Sequence, residues 1–170
     1  LMRLLYKDYT EKRPAIRETN YSYNIQALFN NCDYIIDNIY LGSCYNASNE
    51  NLLNELDIKK IINVSYDIPN YHNDIEYYSY EIKDDGIEDF DINKLNEMID
   101  FIRNNNNNVL IHCVMGKSRS VTVVLYYLMK IYKKSVEEAL EFLTEKRVVI
   151  NPSIHFINYL KNIEKEVLLS

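Results

Sequence analysis

The segment that most constrains the fold runs from residue 109 to residue 129 and reads VLIHCVMGKSRSVTVVLYYLM. Residues 109–112 form a short run that is apolar up to His112. A short, continuous apolar run is typical of a strand buried in the centre of a sheet. After a brief loop, residues 119–132 are apolar on nearly every face, which predicts a buried helix. A central strand followed closely by a buried helix requires a sheet with helices packed on it, so the sequence predicts an α/β fold.

The rest of the chain alternates in the same way. Apolar runs and period-two alternation predict strands at residues 33–36, 39–42, 60–65, 76–82 and 109–112. Helical periodicity and capping residues predict helices at 49–56, 92–103 and 119–132, a helix to Lys146 opened by a capping box of Ser135 and Glu138, and a last helix capped by Asn151. We expect one α/β domain over residues 31–170, with a central mixed sheet of about five strands flanked by helices. Residues 1–30 are predicted to be an N-terminal appendage.

Composition limits the functions open to such a domain. Hydrophobic residues make up 47% and charged residues 26% of the chain, a balance typical of a folded globular protein. The formal net charge of −6 disfavours nucleic acid and anionic membranes as partners. No apolar run approaches the roughly 18 residues of a membrane span. The first residues lack the pattern of a secretory signal, so we expect a cytoplasmic or nuclear protein.

The cysteines and histidines do not form a metal-binding pattern. Cys32, Cys44 and Cys113 include no CxxC pair, and the three histidines are dispersed along the chain. We therefore predict no metal, no disulfide framework and no other cofactor. Cys32 and Cys44 are interpreted as ordinary buried cysteines, and His112 as a structural histidine beneath the loop.

The loop between the predicted strand and helix carries the chemistry. Five residues separate Cys113 from Arg119, which lets the loop curl with its N–H groups inward, and Gly116 permits the backbone conformation that the curl requires. Inward N–H groups and a helix N-terminus attract a phosphate and lower the pKa of a neighbouring thiol. Arg119 adds a planar fork for two phosphate oxygens. With Cys113 as nucleophile, the predicted phosphate-binding residues are Val114, Met115, Gly116, Lys117, Ser118 and Arg119.

The segment HCVMGKSRSVTVVLYYLM, residues 112–129, resembles the signature of the dual-specificity phosphatases, and HC-x5-R is the motif of the wider cysteine phosphatase superfamily. The resemblance extends to IYLGS at 39–43, KIINVS at 60–65 and INPSIHFINYL at 150–160, where Ser153 replaces the family's usual Asn. It implies a cysteine phosphatase-like fold over residues 31–166, close to the small atypical group, because no docking domain precedes the catalytic one. It also implies a phosphoprotein substrate, a phosphocysteine intermediate on Cys113 and no cofactor, and a monomer is favoured.

The resemblance further implies the remaining catalytic roles. The family places its general acid, an aspartate, on a loop about thirty residues before the cysteine. Asp84 and Asp85 both lie there, and Asp84 fits the family's apolar-x-apolar-x-Asp spacing. Asp89 and Asp91 are the next candidates. Ser120 resembles the hydroxyl that steadies the thiolate when the phosphocysteine is hydrolysed.

Three other functions remain open at this stage. A phosphoinositide phosphatase is suggested by Lys117, although Val114 and Met115 make the loop less basic than is usual for lipid-directed relatives. A non-catalytic phosphopeptide-binding module on the same fold would typically lack the cysteine or the aspartate. The arsenate-reductase and low-molecular-weight phosphatase class places its cysteine loop near the N-terminus, which position 113 argues against.

Overall fold

The computed structural model describes residues 29–170, so nearly all of the predicted appendage, residues 1–28, lies outside the described part of the chain. The described elements are, in order, β1 (Asp33–Ile36), β2 (Ile39–Gly42), α1 (Cys44–Ala47), α2 (Glu50–Glu55), β3 (Ile58–Asn63), β4 (Glu76–Ser79), α3 (Ile92–Arg103), β5 (Asn108–His112), α4 (Arg119–Tyr132), α5 (Val136–Lys146) and α6 (Ile154–Leu169).

The five strands form one mixed sheet in the order β1-β2-β5-β3-β4. The central strand β5 pairs in parallel with β2 and β3, and β4 pairs in parallel with β3, whereas β1 runs antiparallel beside β2. The predicted α/β fold, a mixed sheet of about five strands flanked by helices, is confirmed. Because the carboxyl ends of β2, β3 and β5 meet at one edge of the sheet, the loops that follow them converge there.

Helices cover both faces of the sheet. The larger apolar cluster joins one face to α3, α4, α5 and α6, and the smaller cluster joins the other face to α1 and α2. The central strand serves both, since Val109 and Ile111 belong to the larger cluster and Leu110 to the smaller, and all three are fully buried. Burying each such side chain stabilises the fold by about 1.5–3 kcal/mol. Within residues 29–170, no helix has the length and apolar character needed to cross a membrane.

Two strand predictions need correction at their ends. The strand predicted at 60–65 is β3, which begins at Ile58 and ends at Asn63, because its pairing with β5 stops where Asn63 faces His112. The strand predicted at 76–82 ends at Ser79, since it loses its partner when β3 ends. The predicted alternation nevertheless persists, because Ile82 is fully buried in the larger cluster.

The start of the last helix was predicted wrongly. Ser153, not Asn151, is the N-cap residue of α6, and its side chain accepts a hydrogen bond from the N–H of Phe156. The N–H of Asn151 instead donates to the carbonyl of Lys117 in the loop after β5. A contact between distant parts of the chain therefore overrides a local capping signal.

The short helix α1 was not predicted. Ser43 caps it, with the side chain of Asn46 completing a capping box. The box turns the chain sharply as it leaves β2. As a result, the first residue of α1, Cys44, lies beside the loop that follows β5.

Candidate active site

The loop of residues 113–118 leaves the sheet at the end of β5 and enters α4 at Arg119. Cys113 lies at its base and is 3% exposed, whereas Val114, Met115 and Lys117 are half-buried. A curled loop at the carboxyl edge of a parallel sheet, followed by a helix N-terminus, is a common place for an anion. The six predicted phosphate-binding residues are thus contiguous on one turn of chain.

Backbone amides from two other loops bind the carbonyls at the ends of this turn. The N–H of Cys44 donates to the carbonyl of Val114 at 2.9 Å, and the N–H of Asn151 donates to the carbonyl of Lys117 at 2.8 Å. In addition, the N–H of Ser153 donates to Ser118 Oγ at 2.9 Å, so the Ser118 side chain links the loop to the start of α6.

Arg147 binds the two carbonyls in the middle of the turn. Its Nε donates to the carbonyl of Gly116 at 2.9 Å, and its Nη2 donates to the carbonyl of Met115 at 3.2 Å. The four carbonyls from Val114 to Lys117 are therefore all held on the outer side of the loop. In a trans peptide the next N–H points the opposite way, so the amides that follow these carbonyls face inward and form a nest for an anion.

Gly116 is the residue that makes this curl possible. Its φ of +67° lies in the left-handed region, which side chains with a Cβ rarely adopt. A Cβ at this position would also lie 2.3 Å from the carbonyl oxygen of Gly42 at the end of β2. Both the conformation and the packing therefore require glycine, as the sequence predicted for the loop.

The thiol of Cys113 lies 3.2 Å from the hydroxyl of Ser120. Burial raises the pKa of Cys113, but the hydroxyl and N–H of Ser120, the charge of Arg119 and the N–H of Gly116 outweigh it, so the pKa is lowered overall. The side chain of Ser118, at the N-cap position of α4, makes no capping bond. The N–H groups in the first turn of α4 therefore have no side-chain cap, and that of Ser120 is one of the groups that lower the pKa of Cys113. The site thus favours a thiolate.

Arg119 is held at the edge of the site by contacts from two loops. Its Nη1 donates to the carbonyl of Ile82 at 3.0 Å and lies 3.6 Å from a carboxylate oxygen of Asp67. The Arg119 side chain is 10% exposed, so most of it is shielded from solvent. Because Ile82 is fully buried, the same contact anchors the start of the loop that carries Asp84 and Asp85.

The acidic residues of this loop differ in their contacts. Asp85 accepts hydrogen bonds from the N–H groups of Ile87 and Glu88 at 2.9 and 3.0 Å, and these bonds lower its pKa. Asp89 lies 2.8 Å from a ring nitrogen of His155, and Asp91 caps α3. The four aspartates in this stretch are therefore not equivalent.

Asp84 differs from these three aspartates. Its side chain is exposed, and within residues 29–170 its carboxylate makes no hydrogen bond or ion pair. It lies two residues after Ile82, whose carbonyl binds Arg119. The Asp84 carboxylate is therefore not engaged by any partner within residues 29–170.

His112 supports the loop from beneath. Its Nδ1 lies 2.8 Å from the carbonyl oxygen of Cys113, and since a carbonyl only accepts, this nitrogen carries the proton. Burial lowers the pKa of His112 to about 4, with Arg119 acting in the same direction and the bond to Cys113 opposing both. The imidazole is therefore neutral at physiological pH, consistent with its interpretation as a structural group.

Residues 39–166 match the family model described as the dual specificity phosphatase catalytic domain. This chain belongs to the dual specificity phosphatase family. Dual specificity protein phosphatase 1 of Homo sapiens is 36% identical over 137 residues, which cover 79% of this chain and 37% of that protein. The chain thus spans well under half the length of this curated relative.

Solved structures of phosphatase domains share the same architecture. The human tyrosine phosphatase-like serine/threonine/tyrosine-interacting protein superposes with a TM-score of 0.74 at 26% identity, covering 81% of this chain and 97% of that one. The phosphatase domain of Yvh1 from Chaetomium thermophilum gives 0.71 at 26% identity, covering 80% and 96%. The fold of this dual specificity phosphatase domain is therefore that of its family.

Sequence reasoning missed three residues around the loop of this phosphatase domain. Arg147 and Asp67 contact the loop and Arg119, respectively, and Cys44 contacts the carbonyl of Val114. No local pattern marks Arg147 or Asp67, because each acts through a partner far away in sequence. Cys44 directly follows the IYLGS segment at 39–43, but its backbone contact depends on the turn into α1.

Proposed function

We propose that this domain is a protein phosphatase that hydrolyses phosphotyrosine and phosphoserine or phosphothreonine through a phosphocysteine on Cys113. The observation that supports it most strongly is the buried Cys113 thiol with a lowered pKa, placed at the base of a loop whose four carbonyls are turned outward. A thiolate beneath inward amides is a nucleophile directed at a bound phosphate.

In the first step, the phosphate binds to the amides of residues 114–118 and to Arg119. The Cys113 thiolate attacks phosphorus in line, an S–P bond forms and the bond to the leaving oxygen breaks. Asp84 gives its proton to that oxygen, because an unprotonated alkoxide is a poor leaving group. The amides and the Arg119 fork stabilise the charge that develops on the equatorial oxygens.

In the second step, water hydrolyses the phosphocysteine. Asp84, now a carboxylate, takes a proton from the water as its oxygen attacks phosphorus, and the S–P bond breaks to release inorganic phosphate. The hydroxyl of Ser120, 3.2 Å from the sulfur, donates to the departing thiolate. The proton that Asp84 gives to the leaving group in the first step is thus replaced by one from the attacking water in the second.

The assignment of the acid to Asp84 is supported by the surroundings of its neighbours. A general acid must hold a proton before the first step. The bonds from Ile87 and Glu88 to Asp85 favour its ionised form. Asp89 lies 2.8 Å from His155 Nε2, and Asp91 caps α3.

The remaining assignments concern the whole protein. We infer a phosphoprotein substrate, a monomeric catalytic unit over residues 31–170 with an N-terminal appendage over 1–30, and a cytoplasmic or nuclear location. The net charge of −6 supports the absence of a nucleic-acid partner. The mass of the purified protein in solution would test the monomeric state, and a duplex-DNA binding assay would test the absence of a nucleic-acid partner.

Turnover of p-nitrophenyl phosphate and of matched phosphotyrosine, phosphothreonine and phosphoinositide substrates tests the proposal. We expect wild type to release phosphate from both peptides and poorly from the lipid. Cys113→Ser should abolish turnover yet still bind the phosphotyrosine peptide, because the amides and Arg119 remain. Arg119→Lys should be severely impaired, since a point charge cannot replace a bidentate fork. Substantial turnover by Cys113→Ser would exclude the phosphocysteine mechanism.

A further inference from the structure

Arg147 is a fully buried cation beneath the phosphate-binding loop. Its side chain is 0% exposed, and its Nη1 lies 2.9 Å from a carboxylate oxygen of Asp33, which is 17% exposed. The other two contacts run to the carbonyls of Gly116 and Met115 at 2.9 and 3.2 Å. A buried guanidinium is tolerated when it has a counterion and hydrogen-bond partners, and here each of its three nitrogens donates to an acceptor.

The geometry of these contacts matches the guanidinium in particular. Two adjacent carbonyls are bound by two nitrogens of one planar fork, while the third nitrogen holds Asp33. A lysine ammonium has no rigid fork and could not span all three groups in this arrangement. The fit is also close, since a Cβ on Gly116 would lie 2.7 Å from Arg147 Nη2.

Arg147 differs from the other groups that hold the loop carbonyls. The carbonyls of Val114 and Lys117 are bound by backbone N–H groups of Cys44 and Asn151. Only the two central carbonyls among these four depend on a side chain. Arg147 is therefore the point at which a single substitution can release the centre of the loop.

We propose that Arg147, held in place by Asp33, is a positioning residue for the phosphatase reaction. It keeps the Met115 and Gly116 carbonyls away from the phosphate and thereby aims the following two amides at it. This inference rests on the proposed function, but it concerns the shape of the anion site and has consequences for binding as well as for turnover.

The peptide between Met115 and Gly116 links Arg147 to the nucleophile. Its carbonyl is bound by Arg147 Nη2, and its N–H is one of the groups that lower the pKa of Cys113. Because the carbonyl and the N–H belong to one planar unit, freeing the carbonyl lets the N–H turn away. Loss of Arg147 should therefore raise the pKa of Cys113 as well as weaken phosphate binding.

The test compares Arg147→Met, Arg147→Lys and Asp33→Asn with wild type. The pH dependence of Cys113 alkylation by iodoacetate reports its pKa, and tungstate-induced stabilisation reports anion binding. We expect Arg147→Met to raise that pKa, to lose the tungstate effect and to lower kcat/KM for p-nitrophenyl phosphate by about 10²-fold. Arg147→Lys should show nearly the same losses as Arg147→Met. Asp33→Asn should show smaller losses, because the Arg147 guanidinium is still present but is held less firmly.

Lys60→Met is the matched control. Lys60 is likewise buried, at 1% exposure, and its Nζ donates to the carbonyls of Phe101, Ile102 and Asn104. These three carbonyls lie at the end of α3, near the edge of the sheet opposite the one that carries the loop of residues 113–118. We expect this variant to lose stability but to keep the wild-type pKa of Cys113 and the tungstate effect.

The outcomes separate the two proposals. If wild type binds tungstate without turning over any phosphate ester, and the Arg147 variants lose that binding, the proposed function is wrong and the positioning role stands. If the folded variants keep the wild-type Cys113 pKa, tungstate binding and kcat/KM, Arg147 only fills space and the inference is overturned. Should Arg147→Met fail to fold, Arg147→Lys and Asp33→Asn decide, and wild-type behaviour in both overturns it equally.

Discussion

At the scale of single residues, neighbouring aspartates have different chemistry. Asp85 accepts two backbone hydrogen bonds that lower its pKa, whereas the carboxylate of Asp84 has no such contact within residues 29–170. A group stabilised as a carboxylate is a poor proton donor at neutral pH. Local hydrogen bonding thus distinguishes two adjacent, identical residues.

We predict that Asp84→Asn lowers kcat by about 10²–10⁴-fold on phosphopeptides, whose leaving groups need a proton. The loss should shrink on an aryl phosphate with a good leaving group. Asp85→Asn is the matched control and should cost little in either assay. Steady-state rates on both substrates across pH check this, and a leaving-group-dependent loss in Asp85→Asn alone would reverse the assignment.

Ser120 provides a second test at this scale. Its hydroxyl and N–H are the leading groups that counter burial and lower the pKa of Cys113. In Ser120→Ala the pKa should rise, so less thiolate is present at a given pH and the acidic limb of kcat/KM should move to higher pH. Thr122→Val is the control, because the buried Thr122 hydroxyl donates to the carbonyl of Ser118 instead. An equal shift in both variants would mean that α4, and not the Ser120 hydroxyl, controls the thiol.

At the scale of elements, the loop between β5 and α4 depends on backbone conformation at one position. Gly116 and Gly86 both have positive φ, at +67° and +75°. They differ in their surroundings, because a Cβ on Gly116 would meet the Gly42 carbonyl at 2.3 Å, whereas a Cβ on Gly86 would have nothing within 4 Å. The pair therefore separates conformational strain from packing.

We predict that Gly86→Ala lowers the free energy of unfolding by about 1–2 kcal/mol, the cost of a left-handed conformation. Gly116→Ala should cost more, since backbone atoms must also move, and it should abolish tungstate binding. Urea unfolding and tungstate-dependent melting measure the two effects. Equal losses in both variants, with tungstate binding intact, would show that the loop tolerates a Cβ.

The elements themselves were predicted with different success. The bounds of β1, β2, α3 and α4 agree with the sequence pattern, because each has clear periodicity and a clear end. The predicted carboxyl ends of β3 and β4 were too late. Both strands end where the neighbouring strand ends, although apolar residues continue further along the chain. The cap of α6 was wrong because Asn151 binds Lys117.

At the scale of the whole molecule, the site collects residues from nearly the full described chain. Asp33 of β1 accepts a hydrogen bond from Arg147 beneath a single six-residue loop, and the N–H of Ser153 at the start of α6 donates to Ser118 in the loop itself. The connection between α5 and α6 lies beneath the loop because both helices pack on the same sheet face as α4. Fold stability and the shape of the anion site are therefore coupled.

Buried His112 makes this coupling measurable as a pH dependence of stability. Its pKa falls from 6.5 to about 4 in the folded state, so as pH drops the unfolded chain takes up the proton first. Titration of His112 leaves the free energy of unfolding unchanged above pH 6.5. Between pH 6.5 and pH 4 it lowers that free energy progressively, by about 3 kcal/mol in total. Urea unfolding of wild type and His112→Gln across this range tests it. We expect a flatter slope in the variant, and an unchanged slope would contradict a neutral buried His112.

The sequence by itself determined the class of fold and predicted the reacting groups. Hydrophobic periodicity is local, so strands and helices could be predicted, and the spacing from Cys113 to Arg119 reflects a loop that closes on itself. The resemblance over residues 31–166 added the family, which the comparison over 39–166 confirmed. The roles of Cys113, Arg119, Asp84 and Ser120 stay predictions.

Only the tertiary structure decided how the loop is held open for an anion. Arg147 and Asp33 are 114 residues apart and meet beneath Gly116, and Asp67 reaches Arg119 from another loop. Neither contact has a periodicity or a short motif, because each depends on which strand ends and helix ends meet at one edge of the sheet. Local patterns specify elements, whereas the direction of a carbonyl depends on the partner that the assembled fold brings to it.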